Sequence, residues 1–302
     1  MHVFLTGSTG YVGSAVLDAL VRGGHSVTAL VRDPERAARI EARGATPLMG
    51  ELAGPQRYAA AVADADVVVH TALDEGPRRT PSDRTFLDAV LPALQAASAP
   101  RTFVYTSGIW VLGQCQAPVD EEASTEGAAA YSAWRVPHEA LVLQAATPTL
   151  RTAIVRPGIL YGGGRGIVSD MLKDALNGLV RVVGEGRNRW PLVYERDLGD
   201  LYARIVASPD ASGVFHATDD QDERLGDIAE AIASHVDPSA DIRYVPLPEA
   251  LSKMGPYAEA LALDQVVRSP RARALGWAPT MRGITGNAPR LFEEFRRAAS
   301  RG

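Results

Sequence analysis

The sequence predicts an α/β fold, in which a doubly wound parallel sheet is accompanied by a smaller C-terminal lobe. Three observations lead to this prediction. Short β-branched segments alternate with amphipathic helical segments through the first half of the 302 residues. A glycine-rich turn connects the first strand to the first helix, and the alternation stops after about residue 160. Strands that alternate with helices form a parallel sheet that helices cover on both faces.

The predicted strands are short, continuous apolar runs, as expected for parallel strands that are buried on both faces. In chain order they span residues 2–6, 26–31, 65–72, 101–107 and 150–155. The first helix is predicted within residues 11–24, because apolar residues recur there at helical spacing and Gly23 and Gly24 mark its end.

The pattern after about residue 160 predicts mixed structure. We expect a loop at 162–166, helices near 167–179, 197–207 and 223–235, strands at 215–218 and 242–247, and further helices towards the end. No low-complexity linker or internal repeat separates this region from the first half. We therefore expect a sheet domain formed by residues 1–163 and about 192–218, with a smaller lobe formed by about 164–191 and 219–302.

The composition excludes several classes of partner. The net charge of −5 and the absence of long basic runs argue against nucleic acid or an anionic membrane surface. Cys115 is the only cysteine, so no internal disulfide forms, and the six histidines lack metal-site spacing, so we expect no metal. Because we see neither a signal peptide nor a membrane-length apolar run, we expect a cytoplasmic protein, either a monomer or a homodimer.

The segment TGSTGYVG (6–13) has the spacing GxxGxxG directly after a strand and at the start of a helix. In this context Gly7 allows a tight turn, Gly10 lets the backbone approach a pyrophosphate, and Gly13 allows close packing of helix and strand. The free N–H groups and positive partial charge of the helix N-terminus favour an anion there. The segment therefore predicts a dinucleotide cofactor.

The end of the second strand indicates which dinucleotide is bound. An acidic side chain there would bind the ribose 2′-hydroxyl of NAD, whereas a guanidinium can bind the 2′-phosphate of NADP in a bidentate manner. The sequence has Arg32 at this position, followed by Asp33 and Pro34, which suit the start of a helix. Arg32 therefore favours NADP(H), with a solvated side chain as the alternative.

Segments along nearly the whole chain resemble the extended short-chain dehydrogenase/reductase family, which includes NAD(P)-dependent epimerases and dehydratases. The resemblance rests on the order and spacing of TGSTGYVG (6–13), DVVVHTA (66–72), FVYTSGIWVLG (103–113), YSAWRVPHE (131–139), RPGILYG (156–162), WPLVYERDLGDLY (190–202) and SPRARALGW (269–277). It implies a Rossmann domain with a smaller C-terminal substrate lobe.

The chemistry of this family uses a tyrosine as general acid or base, a lysine four residues later, and a serine or threonine that contacts the substrate oxygen. Tyr131 matches the tyrosine, and residue 135 would lie beside it on one helix face. However, Arg135 replaces the lysine, and Gly108 replaces the serine, directly after Thr106 and Ser107. Arginine keeps the charge but cannot relay a proton. The resemblance therefore implies an atypical member, with Tyr131, Arg135 and Ser107 as candidate catalytic residues.

The resemblance also implies further cofactor-binding residues. Glu51 stands where the family often has an acid near the adenine amino group, and residues 157–159 would pass the nicotinamide. The predicted set for NADP(H) is Gly7, Thr9, Gly10, Tyr11, Val12, Gly13, Arg32, Glu51, Leu52, Thr71, Ala72, Tyr131, Arg135, Pro157 and Ile159.

Several residues near the predicted site have two interpretations. We expect the substrate pocket to be lined by the aromatic residues Trp110, Trp134, Tyr161, Trp190 and Tyr194. His70 is interpreted as a packed structural histidine. His138 is interpreted as a surface histidine, with proton donation to the substrate as the alternative. Pro137 could kink the predicted helix and reorient its neighbours.

These observations favour an NADPH-dependent, ketoreductase-like oxidoreductase that transfers hydride to a small organic carbonyl, with secondary metabolites among the candidate substrates. Three interpretations of the site remain: Tyr131 donates the proton, the substrate takes its proton without the tyrosine, or the protein binds NADP without turnover as a sensor. A nucleotide-sugar epimerase or dehydratase is the main alternative, for which Arg187 and Arg189 could bind a diphosphate.

Overall fold

A seven-stranded parallel sheet forms the centre of the protein in a computed structural model, which describes residues 1–300. The strands are β1 (His2–Thr6), β2 (Ser26–Val31), β3 (Thr46–Met49), β4 (Val67–His70), β5 (Arg101–Thr106), β6 (Cys115–Val119), β7 (Leu150–Pro157), β8 (Ile159–Tyr161), β9 (Leu179–Val183), β10 (Arg189–Trp190), β11 (Leu192–Tyr194), β12 (Gly213–Ala217), β13 (Glu223–Arg224), β14 (Asp241–Val245) and β15 (Gln265–Val267). The helices are α1 (Tyr11–Arg22), α2 (Pro34–Glu41), α3 (Ala59–Asp64), α4 (Arg79–Gln95), α5 (Arg135–Gln144), α6 (Gly166–Leu176), α7 (Glu195–Ala207), α8 (Leu225–Val236), α9 (Leu247–Met254), α10 (Pro256–Leu261), α11 (Pro270–Ala274) and α12 (Ala288–Ala299).

The sheet has the strand order β12-β7-β5-β4-β1-β2-β3, and neighbouring strands run parallel. The chain winds outwards from β1 to β3, then returns to β4 on the other side of β1. This reversal is the topological switch point, where open α/β sheets bind ligands beyond the carboxyl ends of the strands. The predicted doubly wound sheet is thus confirmed.

Helices cover both faces of the sheet. Val3 and Leu5 of β1 belong to a buried cluster with side chains of α1 and α7, whereas Phe4 belongs to a second cluster with side chains of α3, α4 and α5. Successive side chains of a strand point to opposite faces, so β1 contributes to both clusters. Because both faces are buried, the strand sequence is continuously apolar rather than alternating.

A third buried cluster lies outside the large sheet. It joins apolar side chains of α6, α8 and α12 with those of β8 and β11, which pair in parallel. Strands β9 and β14 form another parallel pair, with Val180 and Val182 of β9 in the same cluster. The division into a sheet domain of residues 1–163 and about 192–218 and a second lobe remains a proposal.

The edge strand β3 is not predicted by the apolar pattern of the sequence. It contains Pro47, and its residues are half-buried or exposed. Proline cannot donate a hydrogen bond to a neighbouring strand, but an edge strand has one side without a partner and tolerates it. The strand therefore depends on its pairing with β2 rather than on a distinctive local sequence.

The prediction that Tyr131 and Arg135 share one helix is wrong, because α5 begins at Arg135. Pro137 is the physical reason. An α-helix that extended back to residue 131 would need a bond from the residue 137 nitrogen to the Ala133 carbonyl, and proline has no N–H. Instead, the Val136 N–H donates to the Ala133 carbonyl at 3.1 Å, so residues 131–134 form turns. Pro137 limits the start of the helix rather than kinking it.

No helix among residues 1–300 combines the length and the apolar character needed to cross a membrane. Across the same residues, no group of three or more His, Cys, Asp or Glu side chains is arranged to hold a metal ion. Cys115 is a half-buried free thiol, and burial raises its pKa.

Candidate active site

The glycine-rich turn has the geometry that its spacing predicts. Gly7 adopts a φ of +76°, and a Cβ built there would lie 2.5 Å from the Ala72 nitrogen. A Cβ at Gly13 would lie 2.1 Å from the Gly7 carbonyl oxygen and 2.5 Å from the Thr71 hydroxyl. These contacts are far shorter than van der Waals distances. The turn therefore packs against the end of β4 so closely that only glycine fits at either position.

Helix α1 begins directly after this turn without a side-chain cap. Its N-cap residue is Gly10, and no side chain accepts a hydrogen bond from the first-turn N–H groups. Such groups have no partner within the helix, so they remain available to an external anion. The helix N-terminus lies on the wall of a cleft at the switch point of the sheet.

This cleft has a volume of about 600 Å³. It brings together most of the predicted cofactor-binding residues, namely Gly7, Thr9, Gly10, Tyr11, Val12, Gly13, Arg32, Glu51, Leu52, Thr71, Ala72, Arg135 and Pro157, together with Ser107. Tyr131 and Ile159, the remaining members of the predicted set, line an adjoining cavity instead. The residues present therefore fit a dinucleotide, with a glycine cradle at one point and a long open cleft around it.

Arg32 reaches this cleft from the end of β2. Its Nη1 lies 2.7 Å from Asp74 Oδ1, and its side chain is 55% exposed, so the guanidinium remains accessible. Arg36 lies on the same wall, with Nη1 at 3.5 Å from the Thr9 hydroxyl. Asp33 accepts a hydrogen bond from the Glu35 N–H at 2.9 Å, as expected for the cap of α2. Two arginines thus line this end of the cleft.

A second, largely apolar cavity of about 250 Å³ adjoins the cleft. Tyr11, Leu73, Ser107, Arg135 and Pro157 line both spaces. The walls of the cavity include Trp110 and Trp134, two of the aromatic residues predicted to line a substrate pocket. A small apolar molecule in this cavity would lie next to one end of the cleft.

Ser107 lies at the junction of the cleft and the cavity. Its hydroxyl oxygen is buried and has no hydrogen-bond partner among residues 1–300. The neighbouring Thr106 hydroxyl is already bonded to the Tyr202 hydroxyl at 2.6 Å. Gly108 is extended, with a φ of −174°, and a Cβ there would meet nothing within 4 Å. Ser107, and not Thr106, therefore has a hydroxyl available to a ligand.

Tyr131 lines the cavity among aromatic neighbours. Its ring lies 5.1 Å from that of Tyr257 and 5.7 Å from that of Trp110. Arg79 places its guanidinium carbon 4.7 Å from the centre of the Tyr131 ring, and its Nη2 donates to the Tyr131 hydroxyl at 3.3 Å. Burial, and next the Coulombic effect of Tyr131, raises the pKa of the Tyr257 hydroxyl to about 12. The cation that contacts Tyr131 is therefore Arg79.

Two other contacts hold Arg135 away from the Tyr131 hydroxyl. Its Nη1 donates to the Thr106 carbonyl at 2.7 Å, and its guanidinium carbon lies 4.4 Å from the centre of the Trp134 ring. The sequence places Arg135 at the lysine position of the family, but the structure gives it no hydrogen bond to Tyr131. Arg79 and Tyr257 are missed by sequence reasoning, because neither belongs to a motif.

His70 and His138 share one buried carboxylate. His70 Nε2 and His138 Nδ1 lie 2.9 Å and 2.6 Å from the two oxygens of Asp83, and the Tyr105 hydroxyl donates to the same carboxylate at 2.9 Å. Burial raises the pKa of Asp83, but the hydrogen bonds from His138 and His70 outweigh it and hold this pKa well below its usual range. His70 is packed as expected. The prediction of a surface position for His138 is wrong, because its side chain is buried against α4, where Asp83 supplies its hydrogen-bond partner.

Three of the five predicted pocket aromatics lie elsewhere. Trp190, Tyr161 and Tyr194 are buried in the third core cluster, where their polar atoms bond to the Leu261 carbonyl, the Met281 carbonyl and Glu294. They therefore support the second lobe and do not line the cavity.

Arg187 and Arg189, the two arginines that could bind a diphosphate, also lie outside the cleft. Arg189 donates to both oxygens of Asp264, at 2.8 and 2.9 Å, and Arg187 has an 83% exposed side chain beside Glu185. Neither arginine lines the cleft or the apolar cavity.

The fold and the cleft together define the class of Rossmann-type α/β proteins. The model of the NAD dependent epimerase/dehydratase family matches residues 3–217. The chain belongs to this family, and the resemblance inferred from its motifs is confirmed.

Similar proteins include reductases. The chain is 34% identical over 186 residues to 4-hydroxy-2-methyl-3-oxo-4-farnesyl-3,4-dihydroquinoline-1-oxide ketoreductase of Stigmatella aurantiaca, covering 58% of this chain and 55% of that protein. It is 30% identical over 208 residues to 2-alkyl-3-oxoalkanoate reductase of Stenotrophomonas maltophilia (strain K279a), covering 64% and 62%. The solved structure of human epimerase family protein SDR39U1 with NADPH has a TM-score of 0.80 at 22% identity, covering 97% of this chain and 99% of that one. At this identity the likeness shows a shared fold.

Proposed function

We propose that the protein is an NADP(H)-dependent reductase that transfers a hydride to the carbonyl carbon of a small organic molecule. One observation supports this most strongly: Ser107 and Tyr131 line the same apolar cavity, and Ser107 lies where the glycine-turn cleft adjoins it. A carbonyl bound in the cavity would lie between two hydroxyl groups and the end of the cleft. The similarity to two named reductases of carbonyl compounds agrees with this proposal.

The cleft residues would hold the cofactor in the following way. The uncapped N-terminus of α1 would bind the pyrophosphate, and Arg32 with Arg36 would bind the 2′-phosphate. Glu51 and Leu52 would contact the adenine, and the segment from Pro157 to Ile159 would contact the nicotinamide. Thr71 and Ala72 line the cleft wall beside the glycine turn. When bound, the nicotinamide supplies the hydride.

Tyr131 and Ser107 would assist the transfer at the carbonyl oxygen. The Ser107 hydroxyl, which lacks a partner, would donate a hydrogen bond to this oxygen. The carbonyl carbon gains the hydride, the oxygen takes the Tyr131 proton, and solvent reprotonates the phenolate, so an alcohol and NADP⁺ result. Arg79 donates to the Tyr131 hydroxyl oxygen and would hold this hydroxyl in place. Arg135 would orient the strand end through the Thr106 carbonyl.

The Tyr131→Phe substitution tests this proposal, because it removes the proton donor and keeps the ring. We expect NADPH oxidation with an accepted ketone to fall by about 10²-fold or more, the usual contribution of a general acid. The matched control is Tyr244→Phe, which removes the same hydroxyl from an exposed tyrosine on β14. Fluorescence titration with NADPH should give the same affinity for both variants.

Two outcomes would contradict the proposal in different ways. An unchanged rate for Tyr131→Phe would assign the proton to solvent or to the substrate itself. Tight NADPH binding without oxidation by any ketone in a broad panel would instead favour a cofactor sensor.

A further inference from the structure

The apolar cavity contains positive charge without a compensating acid. Arg79 and Arg135 line it, and no aspartate or glutamate belongs to its walls. The whole chain has a net charge of −5, so this local excess does not follow from the overall composition. Two guanidinium groups on an apolar wall therefore require an explanation.

The two arginines differ in how their donors are used. Arg135 donates to the Thr106 carbonyl and stacks on Trp134. Arg79 lies over the Tyr131 ring and makes one long bond to the Tyr131 hydroxyl, at 3.3 Å, and its Nε is buried with no partner among residues 1–300. Asp83, one turn further along α4, is occupied by His70 and His138. Of the two arginines, Arg79 is thus the one with a buried donor that has no partner among residues 1–300.

An unpaired donor on a partly desolvated guanidinium is costly. Leaving a buried donor unsatisfied is destabilising, and more so when the group is charged. A carboxylate removes this cost because its two oxygens match the planar guanidinium fork in a bidentate pair. Such a pair is stronger on an apolar wall than in water, because the local dielectric is lower.

We propose that Arg79 binds a carboxylate of the substrate, so that the protein acts on apolar 2-oxo or 3-oxo acids. This inference rests on the proposed function, because the carbonyl is taken to lie at Tyr131. The Arg79 Nη2 is only 3.3 Å from the Tyr131 hydroxyl. A carboxylate on Arg79 and a carbonyl oxygen on Tyr131 can therefore belong to carbons that are adjacent or separated by one further carbon. Trp110 and Trp134 suit an aryl or alkyl remainder.

The test compares an acid with neutral compounds of the same shape. The probes are benzoylformate, its methyl ester and acetophenone, titrated into the NADP⁺-loaded protein by calorimetry and, with NADPH, assayed for oxidation. We expect benzoylformate to bind at least tenfold more tightly than its ester. Arg79→Gln should remove this preference, lowering affinity for the acid at least tenfold and affinity for the ester less than twofold.

Two further variants make the test specific. Arg78→Gln removes an exposed arginine next in sequence, outside the cavity, and should leave every affinity unchanged. Arg79→Lys keeps the charge but not the fork, so an intermediate preference for the acid is expected. If Arg79→Gln does not fold, the Arg79→Lys result alone still tests the inference.

The outcomes separate this inference from the proposed function. Equal binding of acid and ester by the unaltered protein would overturn the carboxylate assignment, even if acetophenone is reduced. An equal loss for acid and ester in Arg79→Gln would also overturn it, because it would mean a general disturbance of the cavity. Arg79-dependent binding of benzoylformate without NADPH oxidation would support the assignment and contradict the reductase.

Discussion

Arg32, at the end of β2, contacts Asp74 and also remains accessible to a ligand. Its Nη1 lies 2.7 Å from Asp74, whose side chain is only 12% exposed, while more than half of its own side chain remains accessible. A 2′-phosphate would compete with or share this contact. Asp74 therefore opposes phosphate binding by its charge, and Arg36 on the same wall adds to the attraction.

The balance between these charges predicts the cofactor preference. Arg32→Ala should lower affinity for NADPH at least tenfold and leave affinity for NADH nearly unchanged, because only NADPH has the 2′-phosphate. Asp74→Asn should have the opposite effect, since it removes a negative charge beside the phosphate and frees Arg32. Fluorescence titrations with both cofactors measure these effects. Equal affinity of the unaltered protein for NADPH and NADH would disprove the NADP assignment.

The turn between β1 and α1 is the element whose sequence and geometry agree most closely. Gly7, with its positive φ, turns the chain, and Gly13 lets α1 pack against both the turn and the end of β4. Residues 71 and 72 are the only distant part of the chain on which these two requirements depend. A sequence motif can therefore predict this element, because its backbone geometry is fixed by which positions lack a Cβ.

Gly13→Ala should disrupt this element. The added Cβ would lie 2.1 Å from the Gly7 carbonyl oxygen, so the turn or the helix must move. We expect at least a tenfold loss of NADPH affinity and a lower melting temperature. Gly23→Ala, at the other end of α1, is the matched control, because Gly23 has a φ of −74° and a Cβ there would lie 3.3 Å from its nearest neighbours. Similar melting and binding for the two variants would argue against the tight packing.

For helix α5, in contrast to the glycine turn, the sequence pattern and the structure disagree. The i, i+4 spacing of residues 131 and 135 predicts a shared helix face, but Pro137 prevents the helix from extending back to Tyr131. His138, within the helix, faces Asp83 of α4 in the interior. The proline is visible in the sequence, yet its effect on which side chain meets which depends on the packing of α4.

A buried charge cluster connects α5, β7 and β12, three elements that are distant in the sequence. Arg156 pairs with both carboxylate oxygens of Glu139, at 3.0 and 2.6 Å, and its Nη1 lies 3.4 Å from His216 Nε2. His216 Nδ1 lies 3.1 Å from the Arg268 carbonyl, which fits a neutral ring that donates there and accepts from Arg156. Burial, and next the charge of Arg156, lowers the pKa of His216 to about 3.

This pKa predicts how stability depends on pH. Between the unfolded pKa of about 6.5 and the folded pKa, the unfolded chain binds a proton at His216 and the folded chain does not. The free energy of unfolding therefore falls as pH decreases through this window, by up to about 1.4 kcal/mol per pH unit from this group. His216→Gln keeps a donor and an acceptor but does not titrate.

Denaturant unfolding between pH 6.5 and pH 4 measures the effect. We expect a shallower decline for His216→Gln than for the unaltered protein. His235→Gln makes the same substitution at an exposed histidine of α8 and is the matched control. Parallel profiles for the unaltered protein and His216→Gln would contradict the assigned pKa.

The amino-acid sequence by itself determined the parallel sheet, the glycine turn and the position of Arg32 at the end of β2. These features depend on local properties: apolar strand sequences, positions without a Cβ, and the residue that ends a strand. The family resemblance added Tyr131 and Ser107, and both line the apolar cavity. Local rules were sufficient because the apolar pattern of each strand, the glycine positions of one turn and the residue that ends a strand can each be read from a short segment.

Only the tertiary structure decided which cation contacts Tyr131. Arg79 lies 52 residues before Tyr131 in the chain and belongs to no motif, and their contact depends on how the start of α4 packs against the turn before α5. The same packing assigns Asp83 to two histidines and leaves the Arg79 Nε without a partner among the described residues 1–300. Contacts between distant segments depend on the packing of several elements at once, and no single stretch of sequence specifies them.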